Sequence, residues 1–217
     1  MRATIPKGKT MDTAFYAKTS LPTAHGEFDV RVFRSGDKEH IAISVGDLSG
    51  AKALPVRIHS ECLTSEVLGS LKCDCKAQLD SALEYIQGKG RGVVLYLRQE
   101  GRGIGLGNKI RAYQLQEQGV DTVDANRMLG FDDDLRCYDV AADMLTLLEI
   151  ESVDLITNNP LKVDGLRQAG FSVIDRIPIV AGVNTVNQHY LETKRVRMGH
   201  LFEQSDVSLN RDKVRAS

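Results

Sequence analysis

Apolar and polar residues alternate in the early part of the chain. Phe28-Asp-Val-Arg-Val-Phe33 and Ile41-Ala-Ile-Ser-Val45 both carry the two-residue period of half-buried strands. Ser35-Gly36-Asp37 between them predicts a hairpin turn. A third strand is predicted from Leu54 to Ile58, ending at His59-Ser60-Glu61-Cys62. Further along the period changes. Leu79, Leu83 and Ile86 share one face of a helix over 78–86, which Gly88 and Gly90 are expected to stop. Val93 to Leu97 is an unbroken apolar run, the pattern of a strand buried on both faces. The remaining pattern predicts helices over 108–118, 140–148 and 161–168, strands over 153–157 and 171–174, and a last helix around 192–201.

The fold class that follows is α/β. It is a layered domain with a mixed sheet, β-rich in its N-terminal part and alternating strand and helix in its C-terminal part. Residues 1–19 are polar and basic and are expected to form a flexible arm. Residues 20–202 form a single domain, and 203–217 form a polar tail. No repeat, low-complexity tract or linker divides the chain.

Composition narrows the class. Hydrophobic residues make up 42% of the 217, which argues against a mostly disordered chain and leaves enough to bury a core. Val93–Leu97 is the longest apolar run, far too short to cross a bilayer. Arg2, Lys7, Lys9 and Lys18 have no apolar stretch between them, so no secretory signal is expected. These features point to a cytoplasmic protein with no membrane partner. The formal net charge is −1, from 28 Lys+Arg and 29 Asp+Glu, without the basic surplus of a nucleic-acid binder. The charge is unevenly spread. Residues 91–111 hold five basic residues against Glu100, a balance of +4, whereas residues 121–154 hold ten acids against two arginines, a balance of −8. Two solvated faces would account for this. So would an anion pocket beside an acidic edge that attracts magnesium.

Three of the four cysteines, Cys62, Cys73 and Cys75, fall within 14 residues. In a reducing compartment such a cluster points to metal rather than to disulfides. Three thiolates leave a fourth position for water, the pattern of a catalytic zinc. His59 as a fourth ligand would close the site and make it structural, and three ordinary buried thiols are the plainer alternative. His59-Ser60-Glu61 also matches the first half of the zinc deaminase signature H-x-E…P-C-x-x-C, but Lys72 stands at the proline and the pair is C-x-C.

Gly101, Gly103, Gly105 and Gly107 alternate in a segment flanked by Arg98, Arg102, Lys109 and Arg111. Either a dinucleotide fingerprint or a Walker A loop would need glycine at 106 or 108, which are Leu106 and Asn108. Glycines that let backbone N–H groups approach an anion, next to arginine forks, suit a polyphosphate. A flexible loop is the alternative.

Together these segments resemble GTP cyclohydrolase II, which opens riboflavin biosynthesis. The motifs are Arg57-Ile-His-Ser-Glu-Cys62, Leu71-Lys-Cys-Asp-Cys75, Arg98-Gln-Glu-Gly-Arg102, Asn108-Lys-Ile-Arg-Ala-Tyr113, Asp121-Thr122, Thr157-Asn-Asn-Pro160 and Met198-Gly-His200, in the family's order. The resemblance implies a hydrolase acting on cyclic amidine C–N bonds. It would convert GTP to a diaminopyrimidinone carrying phosphoribosylamine, with loss of formate and pyrophosphate. It implies one zinc per chain on Cys62, Cys73 and Cys75, whose hydroxide attacks the guanine imidazole carbon. It implies magnesium with the triphosphate, and a homodimer. GTP would be held by Arg57, Ile58, His59, Ser60, Glu61, Gln78, Glu100, Gly101, Arg102, Thr122, Thr157 and Lys162, with Tyr113 close to the reacting purine. Asp134 and Arg136 match the family's acid–base and nucleophile pair. Arginine stays protonated at neutral pH, so a phosphate clamp is the simpler role for Arg136. At 217 residues the lyase domain fused to some relatives is not expected here. The rival readings are an enzyme that opens the ring without formate loss, and a zinc-containing nucleotide-binding module without turnover.

Overall fold

The computed structural model describes residues 12–132, 134–179, 181–187, 191–193, 196, 199 and 201, with Thr122 and Val123 described by backbone alone. Among these, seven strands form one sheet in the order β1-β2-β3-β5-β4-β6-β7. They are β1 (Thr13–Thr23), β2 (Gly26–Ser35), β3 (Lys38–Val45), β4 (Leu54–Ser60), β5 (Gly92–Leu97), β6 (Val153–Ile156) and β7 (Val173–Ile177). The first half is an antiparallel meander that ends where β3 pairs with β5. The second half is parallel, β5 with β4, β4 with β6 and β6 with β7. The sheet is therefore mixed, as the hydrophobic pattern implied.

The helices are α1 (Leu63–Glu66), α2 (Cys75–Lys89), α3 (Gly105–Glu117), α4 (Thr122–Met128), α5 (Asp139–Leu147) and α6 (Pro160–Gln168). Period-two alternation in β5 divides the core. Val93, Leu95 and Leu97 pack with Met144 and Leu145 of α5 and Leu166 of α6, while Val94 packs with Ala82, Leu83 and Ile86 of α2. The run Val93–Leu97 is apolar throughout because helices cover both faces. Gly92 has φ of 146°, and a Cβ there would lie 2.5 Å from Ile86 Cγ2, so only glycine lets α2 cross this close to β5.

Several boundaries differ from the sequence pattern. The arm expected over 1–19 is, from Thr13 onward, the edge strand β1, paired with β2 along its length. All of its residues after Thr13 are exposed. Its order comes from backbone pairing, so no burial period marks it. Residues 1–11 and the tail from 202 lie outside the described residues. Helix α2 runs on through Gly88 and ends only at Gly90, which is left-handed with φ of 65°. Phe171, expected in a strand, closes α6 instead. The Phe171 N–H donates to Leu166 O and the Gly170 N–H to Arg167 O, a Schellman motif with Gly170 at φ of 87°. The strand follows at Val173. Of the last expected helix, residues 191–193 and 196 are helical and the rest falls largely outside the described residues.

Candidate active site

Parallel strands β4, β5 and β6 end on the same edge of the sheet. The chain leaves β4 toward β5 through α2 on one face, and leaves β5 toward β6 through α5 on the other. That reversal opens a crevice at the carboxyl ends of the strands, where ligands bind in such sheets. The cavity there is lined by Ser60 at the end of β4 with Glu61 and Cys62 after it, by Glu100–Arg102 after β5, by Thr157–Asn159 after β6, and by Tyr113 on α3.

The three clustered cysteines meet in this cavity. Cys62 precedes α1, Cys73 lies in the loop before α2, and Cys75 begins α2. Their sulfurs all lie within 4.8 Å of one another, and Cys62 Sγ is 3.6 Å from Cys73 Sγ. Four-coordinate zinc with Zn–S bonds of about 2.3 Å requires S···S separations of roughly 3.8 Å, so the donor set fits that ion. Hydrogen bonds from Cys73 and Cys75, with Lys109 nearby, hold the Cys62 thiol well below its ordinary pKa despite burial. His59 is not part of the cluster. Its Nε2 bonds Glu66 Oε1 at 2.7 Å, its Nδ1 is buried without a partner among the described residues, and burial keeps the ring neutral. Glu66 also accepts from the Tyr96 hydroxyl. Cys137 is exposed and apart from the trio.

Next to the thiols is a buried polar chain. Arg57 donates through Nη1 to Ile156 O at 2.9 Å and through Nη2 to Gln78 Oε1, and the Gln78 amide donates to Asp74. Burial lowers Arg57 to about 10, so it remains a cation at neutral pH. Glu100 is buried. It accepts from the N–H groups of Leu63 at 2.7 Å and Gly101 at 2.9 Å, and from Lys109 Nζ at 2.8 Å. Two cations lie near the Tyr113 ring, Lys72 Nζ at 4.9 Å and Lys109 Nζ at 5.8 Å from its centroid. Ser60 Oγ accepts from Gln99 and Glu61 from Arg98.

A cationic wall completes the cavity. Gly101 and Arg102 both have φ of 61°. For arginine the left-handed region costs about 1–2 kcal/mol, a strain of the kind that collects at functional sites. The Leu135 N–H donates to Arg102 O at 3.1 Å, and Arg102 Nη1 is buried without a hydrogen-bond partner among the described residues. Arg136 donates through Nε to Asp134 Oδ1 at 2.8 Å and through Nη2 to Asp134 Oδ2. Burial would raise the Asp134 carboxyl, but the bonds from Arg136 outweigh it and hold the pKa below the usual range. Lys162, also buried, donates to Ile58 O at 2.8 Å.

Of the residues expected to hold nucleotide, Arg57, His59, Ser60, Glu61, Gln78, Glu100, Gly101, Arg102, Thr157 and Lys162 line the cavity together with Arg136 and Tyr113. Ile58 does not line it. Its side chain belongs to the core and only its carbonyl is turned to Lys162. Asp134 reaches the cavity through Arg136. The side chain of Thr122 lies outside the described residues; its backbone begins α4. Sequence reasoning missed the parts played by Asp74, Lys109, Glu66 and Asn158. Asp74 and Lys109 stand inside recognised motifs, but their partners are fixed only by folding. Asn158 joins the end of β6 to Ile179 through both its amide groups.

The sequence model of the family described as GTP cyclohydrolase II matches residues 14–178. This chain belongs to the GTP cyclohydrolase II family. A GTP cyclohydrolase-2 of Acinetobacter baumannii (strain AB0057) is 52% identical over 200 residues, covering 90% of this chain and all of that one. One from Picrophilus torridus is 52% identical over 189 residues, covering 87% and 98%. One from Teredinibacter turnerae is 51% identical over 195 residues, covering 89% and 98%. Among solved structures, a two-domain 3,4-dihydroxy-2-butanone 4-phosphate synthase from A. baumannii aligns with a TM-score of 0.46 and 18% identity, over 77% of this chain and 41% of that one. As a member of the GTP cyclohydrolase II family the chain is an enzyme. Among the described residues, no helix is long and apolar enough to cross a membrane.

Proposed function

We propose that this enzyme hydrolyses GTP, opening the guanine imidazole ring with release of formate and pyrophosphate, as the first step of riboflavin biosynthesis in the cytoplasm. One observation carries the reading: the three-thiol cluster and Arg102, whose buried Nη1 has no partner among the described residues, line the same cavity. A candidate metal centre and a candidate anion site thereby line one cavity.

Cys62, Cys73 and Cys75 would hold zinc. When bound, zinc supplies a water that ionises near neutral pH for hydrolytic attack. The protein does the rest. Gln78, fixed by Arg57 and Asp74, and Glu100, fixed by Leu63, Gly101 and Lys109, present oriented groups to the edge of the base. A carboxylate has about four acceptor sites, so Glu100 retains one for substrate. Tyr113, which lines the cavity, would flank the purine and act as a catalytic residue. Arg102, Arg136 and Lys162 take the phosphates, accompanied by magnesium. Charge developing on the leaving pyrophosphate is met by guanidinium groups already in place, without reorganisation. Asp134 is ionised and bound twice by Arg136, so its role is to orient that arginine. Arg136 is then a phosphate clamp and not a covalent nucleophile. The working form is a homodimer, measurable by light scattering.

Incubation with GTP and Mg²⁺, reading formate, pyrophosphate and the pyrimidine separately, tests the proposal. Equal amounts of all three are expected. An opened ring that retains formate would make the chain a formamide-forming enzyme, and nucleotide binding without any product would make it a binding module. Either result overturns the reading.

A further inference from the structure

We propose that Lys109 is a positioning residue of the metal centre, hydrogen-bonding the Cys62 sulfur and fixing that ligand against Glu100. The proposal rests on the three-thiol reading of the site given above. Lys109 Nζ lies 3.1 Å from Cys62 Sγ, 2.9 Å from Thr64 Oγ1 and 2.8 Å from Glu100 Oε1. An ammonium group has three protons, and here each has a partner. The side chain is 12% exposed, so these contacts are sheltered from competing water.

The surroundings are built for this placement. Lys109 lies in the first turns of α3, 47 residues from Cys62 in sequence. Gly101 makes the approach possible: a Cβ at that residue would lie 3.1 Å from Lys109 Cβ, and its φ of 61° favours glycine. Thr64 also approaches Cys62 Sγ, at 3.6 Å. Chemistry supplies the reason. Three thiolates around a divalent ion leave one net negative charge in a largely buried place, where an uncompensated charge is costly. The Lys109 ammonium offsets that charge at the sulfur itself. Arg57 is also near, but its Nη groups are directed to Ile156 O and Gln78. Outer contacts of this kind typically change metal affinity by about 10–100-fold.

The test compares wild type with Lys109→Met, Lys109→Arg and Arg111→Met, without substrate. Zinc affinity is measured by competition with a chromophoric chelator, and the sulfur-to-metal charge-transfer band is recorded after cobalt(II) substitution. Lys109→Met is expected to weaken zinc by about 10–100-fold and to move the band to longer wavelength, because a thiolate that loses a hydrogen bond holds its electrons less tightly. Lys109→Arg, which keeps charge and donors, is expected to recover most of the affinity. Arg111→Met removes a neighbouring charge on the same helix and is expected to change neither readout. If Lys109→Met does not fold, Lys109→Gln serves in its place. Wild-type affinity with an unmoved band in the neutral variant overturns the proposal. So does an equal loss in Arg111→Met, which would reduce the effect to bulk charge. Absence of zinc from the wild type overturns the three-thiol reading and this proposal together. Zinc bound equally by wild type and Lys109→Met overturns this proposal alone.

Discussion

Arg136 and Asp134 show how one residue limits what its neighbour can do. The carboxyl is held ionised by two contacts from the guanidinium, so it aims the cation and does not take its proton. Arg136→Ala removes the donor that the proposed function assigns to the leaving group. Pyrophosphate release is expected to fall by about 10²–10³-fold, read by a coupled phosphate assay; unchanged release would remove Arg136 from the chemistry. Two histidines make a separate statement about pH. Burial lowers the pKa of both His40 and His59, and His40 Nδ1 accepts the Arg98 N–H at 3.1 Å. The unfolded chain therefore binds more protons than the folded one below about pH 6.5. Stability is lost as pH falls through that value. The denaturation midpoint, measured with chelator present throughout, is expected to be lower near pH 5.5 than near pH 7.5. Equal midpoints would contradict the burial of neutral rings.

At the scale of elements, the strands and helices with one buried face were legible because period reports burial. α2 and α5 carry such faces. β5 was legible as an unbroken run buried on both faces, and β2 and β3 as alternating segments, although β2 sends Phe28 and Phe33 to opposite cores and the buried positions of β3 are His40, Ala42 and Ser44. β1 was not legible, since its order rests on backbone pairing and its side chains face water. Short elements such as α1 and α4 were missed because four to seven residues are too few to show a helical period. Phe171 misled because an apolar residue that closes a helix looks the same in sequence as one that begins a strand. Where α2 crosses β5, backbone and side chain approach too closely for any Cβ at Gly92. Gly92→Ala is expected to destabilise the fold by about 1–3 kcal/mol, measured by urea titration. A change near zero would mean that α2 shifts without penalty.

For the whole molecule, the net charge of −1 conceals a cavity walled by Arg57, Arg102, Arg136 and Lys162, drawn from four separate segments. The motifs that form the site were visible as separate strings: the cysteines, the alternating glycines and Thr157-Asn-Asn-Pro160. Their convergence was not visible. It arises because three parallel strands end on one edge and the chain reverses direction between them. Contacts such as Lys109 to Cys62 or Arg57 to Ile156, 47 and 99 residues apart, have no local signature. The central claim is that the three thiols hold the metal on which ring opening depends. The most direct measurement is zinc content and formate release from GTP in wild type and Cys73→Ser, assayed side by side. About one zinc per wild-type chain is expected, with metal and formate lost together in the variant. Full formate release from a metal-free Cys73→Ser protein would contradict the account.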